Sequence, residues 1–152
     1  MRKNYLFVIS ALIAVMGLSS CQVDEAVNTT ELDGNWFVNR IEMINATSLD
    51  SENYQVVNSK DYDAYNLVEG SLLFVVKETS NFNEYFVTEY KYAGSKWVSQ
   101  SQANVRLSGD NKFTFNGRQC KFKKGKGELL EIKAKYGSEF YRYRLEKTPL
   151  KP

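Results

Sequence analysis

The chain has 152 residues, 20 Lys+Arg against 18 Asp+Glu, and no histidine. That length makes one domain with a hydrophobic core of its own, and a net charge of +2 gives no basic stripe for displacing the counterions of a nucleic acid. Without histidine the Ser-His-Asp triad, the two-histidine zinc helix and the commonest general base are excluded, and no glycine-rich segment has the spacing of a phosphate-binding loop.

Arg2 and Lys3 precede an apolar segment, residues 6–18, broken only by Ser10 and Gly17. It is shorter than the ~20 apolar residues that cross a bilayer, and its charged flank and small-residue end read as a processed signal. The segment closes on Leu18-Ser19-Ser20-Cys21. These residues resemble the lipobox of bacterial lipoproteins, where small side chains fit the signal peptidase and the cysteine thiol takes a diacylglyceryl group. The resemblance implies a signal peptide over residues 1–20, a lipid-bearing N-terminus at Cys21 and a tether over residues 21–31, anchored in the outer membrane. Each buried CH₂ contributes ~0.8 kcal/mol, so two or three acyl chains hold a protein stably where one does not. Gln22-Val23-Asp24-Glu25 resembles the surface-export signal of Bacteroidetes lipoproteins, which implies the cell surface; an ordinary solvated tether on the periplasmic face is the other reading. Loss of two of the 20 basic residues with the signal leaves 18 against 18 acidic ones, a neutral mature chain, whose folded domain is expected over residues 32–152.

Leu32-Asp33-Gly34-Asn35-Trp36 opens that domain. A Gly-x-Trp leading into the first strand resembles the lipocalins and the lipocalin-like domains of Bacteroidetes lipoproteins, and implies that Gly34 and Trp36 close one end of a barrel. An arginine of the last strand commonly lies across that tryptophan in the family. Arg142 and Arg144 are the candidates, although strand register turns both outward. The first strand runs to about Ile44, and its apolar parity changes between Val38 and Ile41, which calls for a bulge. Residues 45–66 carry no period and read as a long loop, with Tyr54, Tyr62 and Tyr65. In lipocalin-like barrels the first connection often covers the open mouth, and this one holds that position. Asp61 and Asp63 lack the glycine and closing glutamate of a calcium loop, so they read as solvated carboxylates and no metal is expected.

From residue 67 onward strands alternate with turns. Residues 72–77 are apolar on both faces, so both faces are expected to be covered. Gly94-Ser95, Asn116-Gly117 and Gly137-Ser138 are hairpin turns, with further turns at residues 108–111 and 124–127. These turns set Phe113 opposite Cys120, Phe115 opposite Arg118, Ala134 opposite Tyr141, Ile132 opposite Tyr143 and Leu130 opposite Leu145. Glu131 meets Arg144 on the outer face. In the hairpin around Gly94, Phe86, Thr88, Tyr90 and Tyr92 share the inner face with Trp97, Ser99, Ser101, Ala103, Val105 and Leu107, while Glu89 and Lys91 fall on the wet face. Cys120 reads as a buried small hydrophobe in preference to a reactive thiol.

Eight strands result, over about 35–44, 67–78, 83–92, 95–108, 112–116, 118–124, 128–136 and 139–147. The expectation is an all-β, eight-stranded antiparallel up-and-down barrel, lipocalin-like, following a cleaved lipoprotein signal peptide. One inner half, with Phe113, Phe115, Cys120, Phe122, Leu130 and Ile132, reads as plain core. The other mixes rings with small polar groups, as ligand sites do: Thr88, Tyr90, Tyr92, Trp97, Ser99 and Ser101. Alternatively Tyr54 and Tyr65 fold in and fill that space. The function expected is non-enzymatic binding of a small, lipophilic or aromatic ligand without a cofactor. The alternative is a structural or interaction module that binds an envelope protein or glycan through the outer face or the 45–66 loop.

Overall fold

The computed structural model describes residues 32–152; the signal, Cys21 and the tether lie outside the described residues. Nine strands follow one another: β1 (Gly34–Asn45), β2 (Gln55–Asp61), β3 (Leu72–Glu78), β4 (Glu84–Ala93), β5 (Lys96–Arg106), β6 (Lys112–Phe115), β7 (Arg118–Lys124), β8 (Leu129–Tyr136) and β9 (Glu139–Lys147). Eight of them run in the hydrogen-bonded order β5-β4-β3-β1-β9-β8-β7-β6, and β2 pairs with β1 beside that path. The result is an all-β, antiparallel, nearly closed eight-stranded barrel. Its ends, β5 and β6, come together without a continuing ladder.

The ninth strand, β2, falls in the stretch read from sequence as a loop. Every one of its residues is exposed, so it carries no alternation for a pattern to detect. It pairs with the far half of β1, from Arg40↔Asp61 to Asn45↔Gln55. The near half pairs instead with β3, from Gly34↔Val76 to Phe37↔Leu73. Strand β1 therefore forks the sheet, and β3 begins at Leu72 where 67 was expected.

The bulge in β1 is present: its register against β9 shifts between Val38 and Arg40, so that Trp36, Val38 and Ile41 all meet the same core. Trp36 is buried at one end of the barrel and donates Nε1 to the Leu32 carbonyl at 2.8 Å. A Cβ on Gly34 would stand 2.8 Å from Lys147 Cε, at a φ of 134°, so glycine is what lets this corner close. The cation over Trp36 is Lys147, its direct partner on β9, with Nζ 5.7 Å from the ring centroid. Arg142 and Arg144 face the other way, toward Glu42.

The turns adopt the backbone their residues demand. Gly94 and Ser95 have φ of 59° and 63°, and Asn116 and Gly117 of 50° and 73°, the paired positive values of a type I′ turn. The registers of β6–β7 and β8–β9 are those the turns dictate, including Phe113↔Cys120, Phe115↔Arg118 and Glu131↔Arg144.

Strand β4 departs from expectation. Tyr85 and Val87 line the interior, which turns Thr88, Tyr90 and Tyr92 outward. The register against β5 shifts so that Glu89 faces Ser101 and Tyr90 faces Ser99, leaving Gln100 as the bulged residue. Ala103 and Val105 stay inward as expected, but Ser99 and Trp97 follow Tyr90 and Tyr92 to the outside. The physical reason is that this part of the sheet is covered on both faces. Phe37 and Leu73 lie opposite each other, on the side away from Trp36 and Phe74, yet are 1% and 0% exposed. Leu73 neighbours Tyr90. On that side the C-terminal tail is tied down by Asn35, whose Nδ2 donates to the Leu150 carbonyl at 2.7 Å. With apolar residues on both faces, alternation does not say which face is inner.

Candidate functional site

Inside the barrel, Trp36, Val38, Phe74, Tyr85, Val105, Phe115, Phe122, Leu130 and Leu145 form one buried cluster. They leave a cavity of ≈ 70 Å³, a small fraction of the ~300–1,000 Å³ of a typical ligand site. Phe113, Phe115, Cys120, Phe122, Leu130 and Ile132, expected as plain core, all line it. The six residues expected to form a pocket do not. Thr88, Tyr90, Tyr92, Trp97 and Ser99 belong to the outer face, where Tyr92 and Trp97 meet edge to face at 5.2 Å. Ser101 alone keeps its inward place.

Ser101 leads to what the sequence reading missed. Its hydroxyl donates to Glu89 Oε2 at 3.0 Å, and the same oxygen accepts from Arg118 Nη2 at 3.3 Å. The Arg118 and Glu89 side chains are 14% and 9% exposed. Arg118 begins β7 just after the Asn116-Gly117 turn, lines the cavity, and sets its guanidinium 4.6 Å from the Tyr136 ring centroid. Tyr136 in turn interacts electrostatically with the Tyr143 phenol. An apolar cavity is thus closed at the end away from Trp36 by a buried ion pair and two phenols. The signal for Arg118 was present in its pairing with inward Phe115. Glu89 was hidden by the reversed face of β4.

Burial dominates the acid–base behaviour here. It pushes the Cys120 thiol up to about 11 and raises the Tyr136 and Tyr143 phenols as well. All three stay protonated at neutral pH, so none is an activated nucleophile. Among the described residues no three metal-binding side chains stand together. The arrangement offers donors and apolar surface, which suits recognition.

Residues 46–54 do not cover the mouth. They fold down on the outer face of β9, β8 and β7, a placement dictated by charge. Leu49 packs with Ile44, Phe140, Ala46 and Tyr54. The Tyr54 ring lies 4.9 Å from Lys133 Nζ and 5.0 Å from the Arg142 guanidinium, and its hydroxyl bonds Arg142. Tyr54 therefore does not fill the barrel, nor does Tyr65, which is 100% exposed. Beneath this segment Glu42, 1% exposed, bonds Arg142 and accepts from Arg40 Nε at 2.7 Å. Burial works to raise its carboxyl, but the two arginines together outweigh it and hold the group below its ordinary value. Asp50 pairs with Lys112 at 3.0 Å and Lys121 at 2.8 Å. Of the two loop acids, Asp61 pairs with Arg40 at 3.0 Å and Asp63 accepts from the Tyr65 amide.

No family model matches the chain, and no curated protein matches it. Among solved structures, the siderocalin Ex-FABP, described as functioning through dual ligand specificities, is similar over 80% of this chain and 78% of that chain, with a TM-score of 0.50 and 8% sequence identity. The likeness is one of fold, a lipocalin-like antiparallel barrel, the architecture to which Gly34 and Trp36 point in the sequence.

Proposed function

We propose that the chain is a non-enzymatic binding protein, anchored to the outer membrane through lipidated Cys21, whose barrel takes up a small, largely apolar molecule bearing one hydrogen-bond acceptor. The observation that carries this reading is the unfilled apolar space ending at the buried Arg118–Glu89 pair. A buried ion pair contributes little to stability compared with apolar side chains of the same volume, so its place above a cavity favours recognition. Arg118 presents several donors in a fixed fork, and Glu89 occupies only some of them. The space available is small, and the missing ladder between β5 and β6 supplies the remedy. The barrel widens along that seam without breaking strand hydrogen bonds.

Native mass spectrometry of the full-length protein, drawn in neutral detergent from cells that make it, tests this. The expected result is an adduct that disappears on denaturation and in an Arg118→Met variant. The useful optical probe is Trp36, which lines the cavity, with Trp97→Phe removing the outer indole; its emission shifts on binding. A bare mass that persists after feeding with host extract overturns the proposal.

A further inference from the structure

We propose a second, separate binding site on the outside of the barrel, a groove that takes an anionic carbohydrate. The groove has a volume of ≈ 670 Å³, nearly ten times the interior cavity. Residues 47–50 form one wall. Its floor is a single outer row across four strands, because Thr114 pairs with Gln119, Gln119 with Lys135 and Lys135 with Phe140. Arg106 and Lys112 stand at the β5–β6 side.

Charge selects the ligand. Lys112 is already met by Asp50 and Asp110, at 3.0 and 2.8 Å. Among the described residues neither Arg106 nor Lys135 has a carboxylate at ion-pair distance, and Lys135 has only the Phe140 ring, 5.7 Å from its Nζ. Two cations thus flank the neutral donors and acceptors of Thr114 and Gln119, although Glu84 stands across the ladder from Arg106. Lys135 lies two strands from Thr114, about 10 Å across the sheet. Anionic groups separated by a hydroxyl-rich ring match that layout. A lone phosphate does not, since the cations do not converge on one point. An extended acidic peptide does not either, because the main-chain groups of the floor are spent in the β6–β7–β8 ladders and offer no strand edge. Only two free cations leave little for a nucleic acid backbone.

The test is calorimetric titration of the full-length protein in neutral detergent at about 0.15 M salt, with dextran sulfate as probe and neutral dextran, inorganic sulfate and polyglutamate beside it. Dextran sulfate is expected to bind, and the double variant Arg106→Gln, Lys135→Gln to weaken it about tenfold with an unchanged melting temperature. A control pair removing the same charge elsewhere, Lys91→Gln with Lys96→Gln, leaves binding within about twofold. Failure of dextran sulfate to bind, equal losses in both double variants, or equally tight binding of polyglutamate or inorganic sulfate would each overturn the proposal.

Discussion

Glu42 shows how a single buried charge fixes a loop. It sits under residues 46–54 with Arg142, Arg40 and Arg144 around it. Truncating one partner of such a cluster leaves the others uncompensated, so Glu42→Ala is expected to lose about 3–5 kcal/mol in denaturant unfolding. Its carboxyl titrates below the ordinary range in the folded protein. The stability it contributes is therefore complete above the unfolded value, about 4.3, and drains away as pH falls through the lower folded value. Glu42→Gln abolishes that part of the acid dependence, and melting curves below neutral pH read it. Cys120 gives the opposite case, a thiol raised to about 11 by burial. Peptide mass mapping after alkylation at neutral pH is expected to find Cys120 unmodified in the native protein and modified in denaturant. Labelling at the rate of a free thiol would contradict its burial.

At the scale of elements, what was legible followed local chemistry. Asn116-Gly117 and Gly94-Ser95 were readable because positive φ at two successive positions admits few residues, and each turn then fixed the register of its strands. The β1 bulge was readable because Trp36, Val38 and Ile41 cannot share a face without it. Strand β2 was not, since its side chains are all exposed and give no alternation to read. The inner face of β4 was not either: apolar residues stand on both sides, and the extra residue at Gln100 inverts everything beyond it. The face of β4 put Thr88, Tyr90 and Tyr92 outside and hid Glu89, and the bulge turned Ser99 and Trp97 out beside them. One expectation follows for dynamics. Resting on a single ladder without a buried side chain, β2 opens locally, so amides of residues 55–61 exchange faster than those of β9 by orders of magnitude. Comparable protection in the two strands would show that β2 is held by more than its pairing.

Over the whole molecule, the two ends of the barrel are chemically unlike. One is shut by Leu32, Trp36 and Lys147. The other carries the Gly94-Ser95, Asn116-Gly117 and Gly137-Ser138 turns and the Arg118–Glu89 pair beneath them. Between them the core is continuous, and the seam from β5 to β6 is the one interruption in the strand ladders of the barrel path.

The position of Leu32 has a bearing on posture. The described chain begins at the shut end, eleven residues after Cys21, a span of at most about 40 Å of extended backbone. If Cys21 carries the proposed lipid, the tether joins the barrel at its Trp36 end, opposite the hairpin turns. On the function proposed above, cargo entering between the hairpin turns would come from the aqueous side and not out of the membrane beneath.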